Sequence, residues 1–186
     1  MAVTKTQPIE KIMAAYDAGL RSFGENRVQE FASKSEHLKD LVHAQFALIG
    51  QLQSNKAEDA VDQFDVIHSL DRPSLLASLT AAVEKTGRSP SVYVQVNIGG
   101  EEQKGGVAIA ELPAFLDQVR ASPFRLEGLM AMPPLGQQAG PYFALLAELA
   151  RRHGVDGLSM GMSADYPTAV MLGATAVRIG SALFDD

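Results

Sequence analysis

Apolar residues along this chain change their period in a recurring way. Short β-branched or apolar runs fall at 3–4, 22–24, 46–50, 66–70, 92–97, 126–132, 157–162 and 177–180, the lengths of buried strands. Between them, apolar residues return at three- and four-residue intervals, as at Ile9, Ile12, Met13 and Tyr16 or at Leu112, Phe115, Leu116 and Val119. That spacing forms the stripe by which a helix buries one face. Strand and helix in alternation predict an α/β fold with a parallel sheet. The alternation suits an open doubly wound sheet as well as a closed barrel, and the count of eight strands favours a (β/α)8 TIM barrel. The stretch from Pro133-Pro134 to Pro141 reads as one longer loop after the sixth strand. No linker interrupts the pattern, so residues 1–186 read as one domain.

Composition narrows the class of protein. A chain of 186 residues that is 46% hydrophobic can bury a full core. No apolar run approaches the roughly 20 residues of a membrane span, and no leader precedes the first strand, which predicts a cytoplasmic protein. The absence of cysteine excludes disulfides, thiolate zinc sites and cysteine nucleophiles. A formal net charge of -6 argues against nucleic acid or acidic membranes as partners. The chain is short against the ~250 residues typical of such barrels. It enters the first strand almost at Met1 and stops at Phe184-Asp185-Asp186, so the reading expects no N-terminal covering helix. An apolar barrel base, with Met1 and Val3 losing burial, would then lower stability and favour weak dimerisation of an otherwise monomeric protein.

Barrel chemistry sits in the loops after the strands, and phosphate often lies after strands seven and eight. Ser159-Met160-Gly161-Met162-Ser163 and Arg178-Ile179-Gly180-Ser181 occupy those two positions. Gly161 permits close backbone approach, Ser163 is placed to cap a helix running through Thr168 to Leu172, and Gly180-Ser181 offers amides and a hydroxyl to an anion. An ordinary cap at Ser163 and an ordinary turn at Gly180 are the competing readings. Lys5 follows the first strand directly, so its amine should reach the barrel mouth. Desolvation or a nearby cation makes such an amine a Schiff-base former. Arg178 is the nearest cation by topology, since strands one and eight are neighbours in a closed barrel; a structural ion pair is its alternative role. Lys56 and Lys104 read as solvated loop charges. His68 reads as a core histidine, and Tyr142 and Tyr166 as amphipathic residues of loops or helix starts.

These stretches, together with Phe23-Gly24-Glu25-Asn26, Ile49-Gly50-Gln51-Leu52-Gln53-Ser54-Asn55-Lys56, Val96-Asn97-Ile98 and Gly128-Leu129-Met130-Ala131-Met132-Pro133, resemble the pyridoxal-phosphate homeostasis protein family, single-domain relatives of the alanine racemase barrel. The resemblance runs in order along nearly the whole chain. It implies that Lys5 carries pyridoxal 5'-phosphate as an internal aldimine and that Ser163, Gly180 and Ser181 hold the phosphate. It further implies that Arg178 faces the pyridine nitrogen and that Asn26 lines the cofactor. The partners it implies are the small-molecule cofactor and pyridoxal-phosphate-dependent enzymes. The chain departs from the family pattern at Gln7, where a second lysine is usual, at Ala47 and Gln51 in the third-strand run, and at Asp185 after Phe184. An arginine at the ring nitrogen and the lack of a second domain imply cofactor handling without strong turnover. A weak amino-acid racemase and a cofactor-free Schiff-base aldolase are the alternatives.

Overall fold

Eight parallel strands in sequential order make up the sheet of this computed structural model, which describes residues 1–184. The strands are β1 (Ala2–Val3), β2 (Ser22–Glu25), β3 (Gln45–Leu48), β4 (Val66–Leu70), β5 (Ser91–Gln95), β6 (Leu126–Met130), β7 (Gly157–Met162) and β8 (Ala176–Arg178). Every neighbouring pair is parallel. Ala2 bridges Ile179, the Val3 amide donates to the Ile179 carbonyl at 2.7 Å, and the Ile179 amide donates to the Met1 carbonyl at 3.0 Å. Those bonds close the sheet on itself, so the fold is the barrel and not the open sheet.

The helices α1 (Ile9–Asp17), α2 (Val28–Leu38), α3 (Ala57–Gln63), α4 (Pro73–Thr86), α5 (Leu112–Arg120), α6 (Ala139–His153), α7 (Tyr166–Met171) and α8 (Ser181–Phe184) follow the strands in turn, with a single 3-10 turn at Ser54–Lys56 before α3. Their apolar stripes supply buried Ile12, Phe31, Leu75, Leu79, Phe115, Leu116, Phe143 and Leu146. Burying a side chain of this size stabilises by about 1.5–3 kcal/mol. One aromatic cluster joins α2 to the sheet, with the Phe31 ring 4.8 Å from both Phe46 and Phe64. Gly87 and Gly154 end α4 and α6 in left-handed conformations that a side chain would oppose.

Three expectations change here. Pro141 lies in the first turn of α6 and not in the preceding loop, a position where a missing backbone N–H costs little. Ala2 and Val3 are 1% and 8% exposed and Met1 is half-buried, so the foreseen loss of burial at the start of β1 does not occur. Nor is the barrel base uniformly apolar. Below β5–β8 it opens into a depression of about 640 Å3 lined by Tyr93, Arg120, Arg125, Glu127, Asp156 and Thr175, among others. Asp185 and Asp186, including the departure expected after Phe184, lie outside the described residues. No helix among the described residues is long and apolar enough to cross a membrane.

Candidate active site at the barrel mouth

A second cavity of about 640 Å3 opens at the C-terminal ends of the strands, where β1, β2, β3, β5, β7 and β8 run into their loops. Lys5, Asn26, Ser163, Arg178, Gly180 and Ser181 all line it. The closed barrel accounts for this, because it brings the loop after β1 beside the loop after β8. Among the described lining residues the ionisable side chains are Lys5 and Arg178, both cationic. An anion is therefore the favoured guest.

Lys5 sits on a tight turn in which the Gln7 amide donates to the Thr4 carbonyl at 3.0 Å. It is exposed at the rim. Thr6 takes the left-handed conformation at φ 62°, unfavourable for a β-branched residue unless its surroundings impose it.

Arg178 is 4% exposed. It donates to the Ser159 carbonyl at 2.8 Å, the Ser159 hydroxyl at 2.7 Å and the Ala131 carbonyl at 3.1 Å. All three acceptors are neutral, so the ion-pair role is not what holds it. Burial lowers its pKa to about 10, with the Asp165 carboxylate acting in the opposite sense; it stays cationic at neutral pH. The Ser159 hydroxyl, which accepts from Arg178, also hydrogen-bonds His68 Nδ1, 2.9 Å away. His68 lies on β4 and Ser159 on β7, which are not sheet neighbours, so this bond crosses the barrel lumen. The histidine ring also stacks on Tyr93 at 4.3 Å. Burial first, then the Arg178 charge, push the imidazole down to about 3, and it does not line the cavity. His68 is thus the core residue its sequence context suggested.

Ser163 does not cap α7. Asp165 occupies that N-cap position, without a side-chain cap bond, and its Oδ1 accepts from the Met162 amide at 2.6 Å. Ser163 Oγ accepts instead from the Gly180 amide at 3.3 Å and the Ala182 amide at 3.2 Å. An oxygen therefore sits where two backbone N–H groups of the β8–α8 turn converge. The same donor set, with the Ser163 and Ser181 hydroxyls, fits a phosphate oxygen. Gly180 is not required by protein packing, since a Cβ there would meet Val3 at an ordinary 3.6 Å. Gly161 is: at φ 93°, its Cβ would fall 2.5 Å from the Ala169 Cβ.

Sequence reasoning missed Gln95, Gln51, Met132 and Met162 in the lining. Gln95 is buried and donates to the Gly105 carbonyl at 3.0 Å; a polar residue ending an apolar strand was its signal. Lys56 pairs with Asp59 and Lys104 with Glu101, and neither lines the cavity. Tyr142 packs against the core and Tyr166 begins α7, both outside the lining.

The family described as "Alanine racemase, N-terminal domain" matches residues 1–186. A pyridoxal phosphate homeostasis protein of Pseudomonas aeruginosa is 43% identical over 191 residues, covering 99% of this chain and 82% of the relative. One of Aquifex aeolicus is 40% identical over 196 residues, covering 100% and 86%. Among solved structures, PipY of Synechococcus elongatus PCC7942, determined with PLP bound, superimposes with a TM-score of 0.90 at 42% identity over 99% of this chain and 91% of that one. With its barrel, its mouth and its full-length likeness to these proteins, the chain belongs to the pyridoxal phosphate homeostasis family, within the alanine racemase N-terminal domain family.

Proposed function

We propose that this protein binds pyridoxal 5'-phosphate in the mouth cavity and serves cofactor homeostasis without strong turnover of its own. The observation that carries this reading is the meeting of Lys5, Asn26, Ser163, Arg178, Gly180 and Ser181 around one cavity whose described ionisable groups are both cationic. When bound, the cofactor supplies an aldehyde that condenses with a primary amine, releasing water, and a ring that withdraws electrons best when its nitrogen is protonated. Lys5 is the amine at the rim. Ser163, Gly180 and Ser181 receive the phosphate, and Asn26 lines the ring. Arg178, buried and cationic, can donate a hydrogen bond to the ring nitrogen but cannot readily give up a proton to it.

The same inventory argues against strong turnover. Racemising a bound amino acid requires a second acid or base opposite the lysine, and the described lining holds no histidine, tyrosine or carboxylate. The names of the relatives, pyridoxal phosphate homeostasis proteins, agree with a handling role. Recipients would be enzymes that use the same cofactor. Borohydride reduction of the loaded protein followed by peptide mapping should place the adduct on Lys5. An adduct confined to Lys56 or Lys104 would overturn the assignment, and the lack of any visible absorbance band with added cofactor would favour the cofactor-free aldolase.

A further inference from the structure

Behind the Lys5 turn lies an ionic cluster contributed by β2 and α2, with Glu25 and Lys34 buried and Glu30 partly exposed. Lys34, 9% exposed, donates to the Thr4 carbonyl at 3.0 Å, to Glu25 at 3.2 and 3.4 Å, and to Glu30 at 2.9 Å. Glu25, fully buried, accepts from the Thr4 hydroxyl at 2.7 Å. Glu30 accepts from the Thr6 amide at 2.5 Å. The two residues flanking Lys5 are therefore each tied to a carboxylate, and one ammonium joins both carboxylates to the Thr4 carbonyl. Burial raises the Glu25 carboxyl against the opposing Thr4 and Lys34 contacts. At Glu30 burial acts in the same sense, but the Thr6 amide and Lys34 outweigh it and the carboxyl is lowered. Neither anion touches the cavity.

A buried charge cluster of this kind is costly to assemble and gives little net stability. Here it contacts the one segment held in a left-handed conformation at a non-glycine residue in the site, Thr6. Left free, a threonine would relax to negative φ, and the turn that carries Lys5 would rotate. We propose that Glu30 and Lys34 are positioning residues that hold the Thr4–Gln7 turn so that the Lys5 amine meets an aldehyde entering the mouth. The inference rests on the assignment of Lys5 above.

Two probes separate positioning from general damage. Pyridoxal 5'-phosphate reports the covalent link through its visible band; pyridoxamine 5'-phosphate has the same ring and phosphate but no aldehyde, so its affinity reports the pocket alone. In Glu30→Ala, formation of the covalent band should slow roughly tenfold, the size expected from losing one charge-assisted hydrogen bond, with pyridoxamine 5'-phosphate affinity unchanged. Amide exchange at Thr6 in the cofactor-free protein should quicken. Glu30→Gln keeps an acceptor for the Thr6 amide and should restore most of the rate. Lys34→Met should slow the band at least as much and, by leaving buried Glu25 without its cation, should also lower the thermal midpoint. Band formation at the native rate in Glu30→Ala, or equal loss for both probes, would overturn the positioning role. Persistence of the band in Lys5→Ala would instead overturn the assignment of Lys5, leaving a distinct signature.

Discussion

At the scale of single residues, the lumen triad of His68, Ser159 and Arg178 makes a pH prediction. His68 titrates near 3 when folded, against an ordinary value of 6.5. A depressed folded pKa means the unfolded chain binds the extra proton, so this contribution is fully present above about pH 6.5 and is lost as pH falls toward about 3. Thermal midpoints measured across that window should fall more steeply for the native protein than for His68→Gln. Ser159→Ala strips an acceptor from Arg178 and a hydrogen-bond partner from His68, both buried; it should cost about 1–3 kcal/mol in denaturant unfolding. The β8–α8 turn makes a separate prediction. Gly180→Ala is tolerated by the neighbouring packing, so the fold should keep its midpoint. Affinity for pyridoxal 5'-phosphate should nevertheless fall roughly tenfold or more, with pyridoxal little changed, because a methyl there would obstruct the close approach of an anion to the turn's amides. Equal loss for the two ligands would place the phosphate elsewhere.

Among the elements, α7 depends on a glycine. With Gly161 at φ 93° and a Cβ that would lie 2.5 Å from the Ala169 Cβ, Gly161→Ala should push α7 off β7 and cost roughly 2 kcal/mol, a fall of about 4–8 °C in a domain of this size. A midpoint within a degree of the native value would show that α7 yields freely. Element existence was legible because parallel strands covered on both faces read as continuous apolar runs. Element ends were not: the third strand reads as 46–50, whereas its ladder is Gln45–Leu48, because Ile49 and Gly50 leave the sheet to line the mouth and exposed Gln45 joins it by pairing with Ser22. Lys5 and Arg178 could be placed from sequence because barrel topology alone brings the two chain ends together. Lys34 could not. A Glu–Lys pair four apart on a helix ordinarily reads as a solvated surface pair, and only the way α2 lies against β2 turns it inward to Glu25 and Thr4. Ser163 was legible as a phosphate candidate, but its hydrogen bonds across to the β8–α8 turn were not, since the local sequence suggested a cap on its own chain.

For the molecule as a whole, the described mouth lining lacks an acid or base opposite Lys5, and an arginine such as Arg178 at the ring nitrogen would leave it unprotonated and a poor electron sink, so turnover of free amino acids by loaded protein should stay negligible in a racemisation or transamination assay. Robust turnover that vanishes with Lys5→Ala would promote the racemase alternative. The barrel seam has a further consequence. β1 has two residues and β8 three, and the described main-chain hydrogen bonds that join their segments are Val3 to Ile179, Ile179 to Met1 and the Met1 terminal amine to Val177. Lys5 stands on one side of that join, and Gly180 and Ser181 on the other. A ligand bound to both sides stabilises the folded state alone, and once one end is held the other engages its side of the seam as an intramolecular event at high effective concentration. Pyridoxal and inorganic phosphate supplied together occupy the same contacts without bridging them. Pyridoxal 5'-phosphate should therefore raise the thermal midpoint by more than the two fragments do jointly at equal saturation, the excess measuring how far the cofactor acts as a clasp on the barrel.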